Sequence, residues 1–284
     1  MGSQSPGHEL WTGSRIRLRR RAANDRADLD WLFLPGGPGI GSDSLIELVD
    51  AVAVPGRSWL VDLPGDGSNV LSTEAVSDPF AGWPGVLLEA AVAVPHPVFV
   101  GHSTGGMYLL SVPELEAHLE GLALVSSAPD ASWLPAFVAM TERAPLPEVT
   151  AATNRYNREP TPERLRDLAV ASAPWNFAPG HQEAGRELLR RMPYNPRAVA
   201  WSDEHFDKIY VSNWWPEGVP TLIVSGSEDR IVTQHLWDAP RFERNHVLRH
   251  TINGGAHFPW IERPAAVRLA FGDLAEMILT HREE

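Results

Sequence analysis

Residues 97–110 read PVFVGHSTGGMYLL. The apolar run VFV stops at Gly101, and a second apolar run begins only a few residues later, beyond a serine hemmed in by glycines. The first run has the length and β-branched character of a buried strand, and the second has helical character. The chain must therefore turn from strand to helix within GHSTG, residues 101–105, which matches the pattern G-x-S-x-G. In such a turn the serine occupies a strained backbone conformation and the glycines relieve the crowding. The hydroxyl of Ser103 is then lifted off the sheet, beside the free N–H groups at the start of the next helix.

The same order of strand, turn and helix repeats outward from this corner. WLFL (31–34), WLVDL (59–63), VFV (98–100), LALVS (122–126) and TLIVS (221–225) are short apolar runs bounded by Gly or Pro, as expected of strands buried on both faces. Between them, Leu45, Leu48, Val49 and Val52 fall on one helical face, and Val267, Phe271, Leu274 and Ile278 do much the same beyond Pro264, a residue suited to open a helix. Alternation of this kind predicts an α/β fold with a doubly wound, mostly parallel sheet. From about Pro129 to Pro220 no buried strand is evident, while prolines, charged residues and aromatics recur. A stretch of that length without strands is better read as a helical insertion than as a loop. The expected organisation is a core of residues 1–128 and 221–284, with residues 129–220 as a helical cap.

Bulk properties narrow the partners. The 284 residues carry 36 acidic and 24 basic side chains, a formal net charge of −12, which disfavours phosphate backbones and anionic lipid surfaces. A small-molecule substrate is expected, with neither nucleic acid nor membrane as partner. No apolar run approaches the roughly 18 residues that span a bilayer. The basic stretch RIRLRRR (15–21) is followed by an apolar run too short, and too interrupted by acids, for a secretion signal; it reads as the solvated face of an N-terminal strand. There are no cysteines, which fits a reducing cytoplasm and removes any thiolate-based metal or redox site. The eleven histidines show no paired-ligand spacing, so neither a metal nor another cofactor is expected.

A serine hydroxyl needs a base, and the base needs an acid to orient it. GSEDRIV, after the strand ending at Ser225, places Asp229 just past a strand end, where sites of open α/β sheets gather. NGGAHFPWIERP places His257 in a Gly-rich loop ahead of the last helix. Asp130, in SSAPDASW, is the competing acid, and Glu228 adjoins Asp229. His102 is expected to point away from the site as a packing or hydrogen-bonding residue. LPGGPG (34–39) follows the first confident strand, and its glycines let backbone N–H donors approach a developing oxyanion; Gly37 and Thr104 are the expected donors. Among the aromatics of the insertion, Trp133, Phe137 and Trp175 are candidate walls of a substrate pocket.

On these residues the chain resembles the α/β-hydrolase superfamily over nearly its whole length. The order Ser103, Asp229, His257 is that of the superfamily's triad. DLPGDGSN (62–69) is similar to its loop after the next strand, and HFPWIERP to its histidine segment. Within the superfamily, PGGPG with GHSTGG is most similar to the proline iminopeptidase branch, whose glycine loop usually reads HGGPG and whose nucleophile is usually followed by Trp. Here Pro35 and Thr104 stand in those two places. The resemblance implies a serine hydrolase acting on an ester or amide through an acyl-enzyme. In the iminopeptidase alternative, carboxylates of the cap bind the substrate amine, and Glu159, Glu163 and Glu204 are available. A ligand sensor or cofactor-free oxygenase on the same fold is the alternative from another class.

Overall fold

The structure is a computed structural model and describes residues 9–70 and 78–283. The expected sheet is present and has eight strands: β1 (Glu9–Trp11), β2 (Arg17–Ala23), β3 (Asp30–Leu34), β4 (Arg57–Asp62), β5 (Pro97–His102), β6 (Gly121–Val125), β7 (Thr221–Gly226) and β8 (Val247–Ile252). Their spatial order is β1-β2-β4-β3-β5-β6-β7-β8. β1 and β2 pair antiparallel, as do β2 and β4, and every later pairing is parallel.

Strand alternation divides the core in two. Leu32, Leu34, Phe99, Leu122, Leu124 and Ile223 face one side, where α2 (Trp83–Val92) and α3 (Thr104–Leu109) cover them. Trp31, Phe33, Val98, Val100, Leu222 and Val224 face the other, against α1 (Ile46–Val52) and α11 (Pro264–Glu283). Both faces are buried, so the central strands read as continuous apolar runs. Burial of such side chains at roughly 25 cal/mol per Å² supplies the main drive for the layering.

Between β6 and β7 the chain forms α4 (Trp133–Arg143), α5 (Pro147–Arg158), α6 (Pro162–Ala171), α7 (Ala173–Asn176), α8 (Gln182–Arg191) and α9 (Pro196–His205). Its one β contact among the described residues is a bridge between Asp130 and Val211. Proline stands at the first or second position of α5, α6, α7 and α9, where a missing N–H costs nothing. The side chains of Thr161 and Asn195 cap α6 and α9 by accepting a free N–H of the first turn. The short α10 (Pro259–Glu262) follows β8 and leads into α11.

The last strand has no counterpart in the sequence reading, and one expectation needs correction. β8, VLRHTI, is an edge strand with Arg249 and Thr251 exposed, so it lacks the apolar run that marks the inner strands. The arginines of β2 are only partly solvated: Arg17 and Arg19 both reach Oδ2 of Asp62, at 2.9 and 2.8 Å, and the Asp62 side chain is 1% exposed. A carboxylate that deep needs paired donors, and the basic run supplies them.

The topology sets where a site can lie. After β3 the chain moves outward to β4 on one side, then returns to lay β5 on the other. The strand order thus reverses between β3 and β5, and the crevice beyond their carboxyl ends is the expected binding place of an open α/β sheet. Residues 35–39 and Ser103 leave the sheet there.

Candidate active site

Ser103 sits between β5 and α3 with φ 51° and ψ −124°, a positive-φ conformation that costs a non-glycine residue about 1–3 kcal/mol. The surrounding glycines explain how the corner closes. A β-carbon at Gly101 would stand 2.5 Å from the Gly106 backbone, and one at Gly105 would stand 2.5 Å from the Pro35 carbonyl oxygen. The carbonyl of Ser103 is held by the Ser127 hydroxyl at 2.8 Å, which anchors the turn to the end of β6.

Downstream, the structure brings His257 and Asp229 to Ser103. His257 Nε2 lies 3.1 Å from Ser103 Oγ, and Nδ1 lies 3.1 Å from Asp229 Oδ2. A carboxylate only accepts, so Nδ1 carries the proton and Nε2 presents its lone pair to the hydroxyl. Asp229 is fixed in turn: its Oδ1 accepts the N–H groups of Ile231 and Val232 at 2.9 and 3.0 Å. Ser103 and His257 are 9% and 4% exposed, so the constellation is shielded from bulk water. Asp130 lies elsewhere, capping Ser132 N–H at 2.9 Å and approaching Arg241.

His102 points away from the hydroxyl, as expected. Its Nε2–H donates to the His257 carbonyl at 3.0 Å, and its ring packs edge-on against Trp260. Burial, reinforced by the neighbouring His257, holds its pKa well below the usual imidazole value, so the ring stays neutral.

The glycine loop lies directly against the corner. A β-carbon at Gly36 would meet both the His102 carbonyl oxygen and Ser103 Cβ at 2.7 Å. Gly37 follows at φ 115°, accessible to few residues besides glycine. Gly39 N–H donates to Asp66 Oδ1 at 2.8 Å, and the N–H of Gly67 shares the same oxygen at 2.8 Å. Thr104 opens α3, so its N–H belongs to the first turn, whose donors have no intrahelical acceptor.

The aromatic candidates form a chain of ring contacts. Trp133 and Phe137 have centroids 6.3 Å apart, and Phe137 meets Trp175 edge-on at 5.8 Å. Trp175 donates to the Ala144 carbonyl and immediately precedes Asn176, whose carbonyl accepts the His257 N–H at 3.1 Å. Glu159 forms an ion pair with Arg164, and Glu159, Glu163 and Glu204 are all exposed. Sequence reasoning missed two buried acids near these elements, Asp66 and Glu262, and the half-buried Asp207, which accepts from the Ser202 hydroxyl at 2.9 Å. Only tertiary contacts mark them, although Asp66 and Glu262 do fall within the DLPGDGSN and HFPWIERP segments.

A serine on a positive-φ strand-to-helix corner at the strand-order reversal, with a histidine and an aspartate in hydrogen-bonding reach, defines the architecture of the α/β hydrolases. Residues 31–270 match the model of the alpha/beta hydrolase family, and the chain belongs to that family. Among curated relatives, it is 26% identical over 216 residues to a pimeloyl-[acyl-carrier protein] methyl ester esterase of Xanthomonas axonopodis pv. citri, covering 75% of this chain and 82% of that one. Two solved structures share the fold. A proline iminopeptidase-related protein from Thermus thermophilus superposes with TM-score 0.66 at 18% identity, covering 96% of this chain and 98% of that one. An esterase from Rhodococcus sp. ECU1013 gives 0.65 at 18%, with the same coverage. Among the described residues, no helix is long and apolar enough to cross a membrane.

Proposed function

We propose that the protein is a serine hydrolase that cleaves a carboxylic ester of a modest-sized, largely apolar small molecule through an acyl-enzyme. The observation that carries this reading is the aligned series Ser103 Oγ, His257 and Asp229, with both links at 3.1 Å. In it, His257 Nε2 takes the Ser103 proton as Oγ attacks the carbonyl carbon, and Asp229 stabilises the imidazolium that results. The oxyanion is met by the N–H groups of Gly37 and Thr104, each contributing roughly 3–4 kcal/mol. The tetrahedral intermediate collapses as His257 returns the proton to the leaving alcohol. Water, deprotonated by the same imidazole, then releases the acid and restores Ser103. These steps use only groups of the chain and water.

Residues 129–220 serve as the cap in this reading, over a core of 1–128 and 221–284, and Trp133, Phe137 and Trp175 give the pocket its apolar wall. Two observations favour an ester over an N-terminal prolyl amide. The curated relative carries the name of a methyl ester esterase. A cationic amine entering a desolvated pocket needs a buried carboxylate, whereas Glu159, Glu163 and Glu204 all face solvent, and the less exposed Asp66, Asp207 and Glu262 already accept hydrogen bonds from the chain. Parallel assays of p-nitrophenyl esters and prolyl-naphthylamide test the choice. Short and medium acyl esters should be cleaved at least about tenfold more efficiently by kcat/KM; preference for the prolyl substrate refutes the ester reading.

A further inference from the structure

Glu262 closes α10 and is buried at 5% exposure, and its hydrogen bonds go to backbone amides rather than to Ser103 or the His257 ring. Its two oxygens are divided between two segments. Oε2 accepts the N–H of Ala256, the residue before His257, at 2.5 Å, and Oε1 accepts the N–H of Ala178, in the insertion, at 2.7 Å. Around this carboxylate the same two segments meet twice more. The His257 N–H donates to the Asn176 carbonyl at 3.1 Å, and the rings of Phe177 and Phe258 stack with centroids 4.8 Å apart. Residues 176–178 and 256–258 thus run against each other as a zipper whose last tooth is a buried anion. Two donors from unlinked parts of the chain are satisfied by one side chain, and removing it orphans both in a dry place.

We propose that Glu262 is a positioning residue that locks the histidine loop to the insertion, so that the His257 imidazole is in line with Ser103 only while residues 176–178 are seated. This rests on the serine-hydrolase reading above. The substitution of choice is Glu262→Gln, which keeps the volume but offers one acceptor oxygen and turns an NH₂ group toward the other amide. A displacement near 1 Å at reacting atoms lowers rates by about 100-fold. Acylation of Ser103 by a fluorophosphonate should therefore slow by about 100-fold in the variant, while KM for an ester stays within about threefold of the parent, because Trp175 keeps its own anchors, Phe137 and the Ala144 carbonyl.

A second measurement uses the unmodified protein. If the zipper opens as one unit, hydrogen exchange of the Ala178, Ala256 and His257 amides should proceed at matching opening free energies. Amides that open independently, with protection differing by more than about tenfold, overturn the lock. A labelled parent with an equally fast Glu262→Gln variant overturns the positioning role alone. A parent that resists the probe overturns the serine-hydrolase reading instead, with the exchange data still deciding whether the lock exists.

Discussion

Asp66 offers the sharpest numerical test of the packing beneath the glycine loop. It is 2% exposed, and burial, with the charge of Asp62 adding to it, pushes its carboxyl up from 3.8 to about 7 despite the amides of Gly67, Gly39 and Gly41 favouring the anion. The sign follows from linkage. Between about pH 4 and pH 7 the folded chain holds a proton here that the unfolded chain has released, so stability declines as pH rises through that window and levels off above it. At about 1.4 kcal/mol per pH unit, the full effect is about 4 kcal/mol. Asp66→Asn removes the titration but keeps the hydrogen bonds from Gly39 and Gly67, because both N–H groups address one oxygen, Oδ1, and an amide carbonyl can replace it. Urea unfolding of parent and variant at stepped pH should show near-equal stability at pH 4. By pH 8 the variant's advantage should grow to about 4 kcal/mol. A difference that stays constant from pH 4 to 8 refutes the reasoning, since it would mean that Asp66 titrates alike in both states.

The proposed triad should behave as a unit: Ser103→Ala and His257→Ala each remove several orders of magnitude of ester turnover, and steady-state kinetics should find the double variant scarcely worse. In the same assay Asp229→Asn should lower kcat by orders of magnitude and Asp130→Asn leave it near the parent; the reverse ranking transfers the role to Asp130. Gly36→Ala places a methyl group 2.7 Å from Ser103 Cβ and from the His102 carbonyl oxygen, neither of which can yield easily. A fall of about 100-fold in kcat/KM with an unchanged circular dichroism spectrum is expected, and full activity would mean that the loop does not rest on the corner.

The parts of the molecule legible in the sequence share a cause. β3 to β7 are buried on both faces and so announce themselves as apolar runs, and GHSTG declares its corner because only glycine fits beside it. Asp229 and His257 are readable because each follows a strand in a loop rich in glycine or polar residues. β8 is not, because an edge strand with one wet face carries Arg249 where an inner strand would carry an aliphatic residue. The duties of Arg17, Arg19, Asp66 and Glu262 are equally hidden. Each depends on a partner far away in sequence, and no local period records such a pairing. The aromatics of the insertion illustrate the limit from the other side: eleven tryptophans in the chain offer many candidate walls, and ring chemistry alone does not rank them.

The corner at Ser103 also speaks to the history of the chain. A positive-φ residue with a β-carbon is at a disadvantage of about 1–3 kcal/mol in a molecule whose total stability is commonly only about 5–15 kcal/mol. Glycine already flanks the position on both sides at a spacing of two, and a single mutational step to glycine at 103 would relax the turn without disturbing the sheet. Drift toward stability alone would therefore tend to erase the hydroxyl. Stability alone thus does not account for a serine at φ 51°.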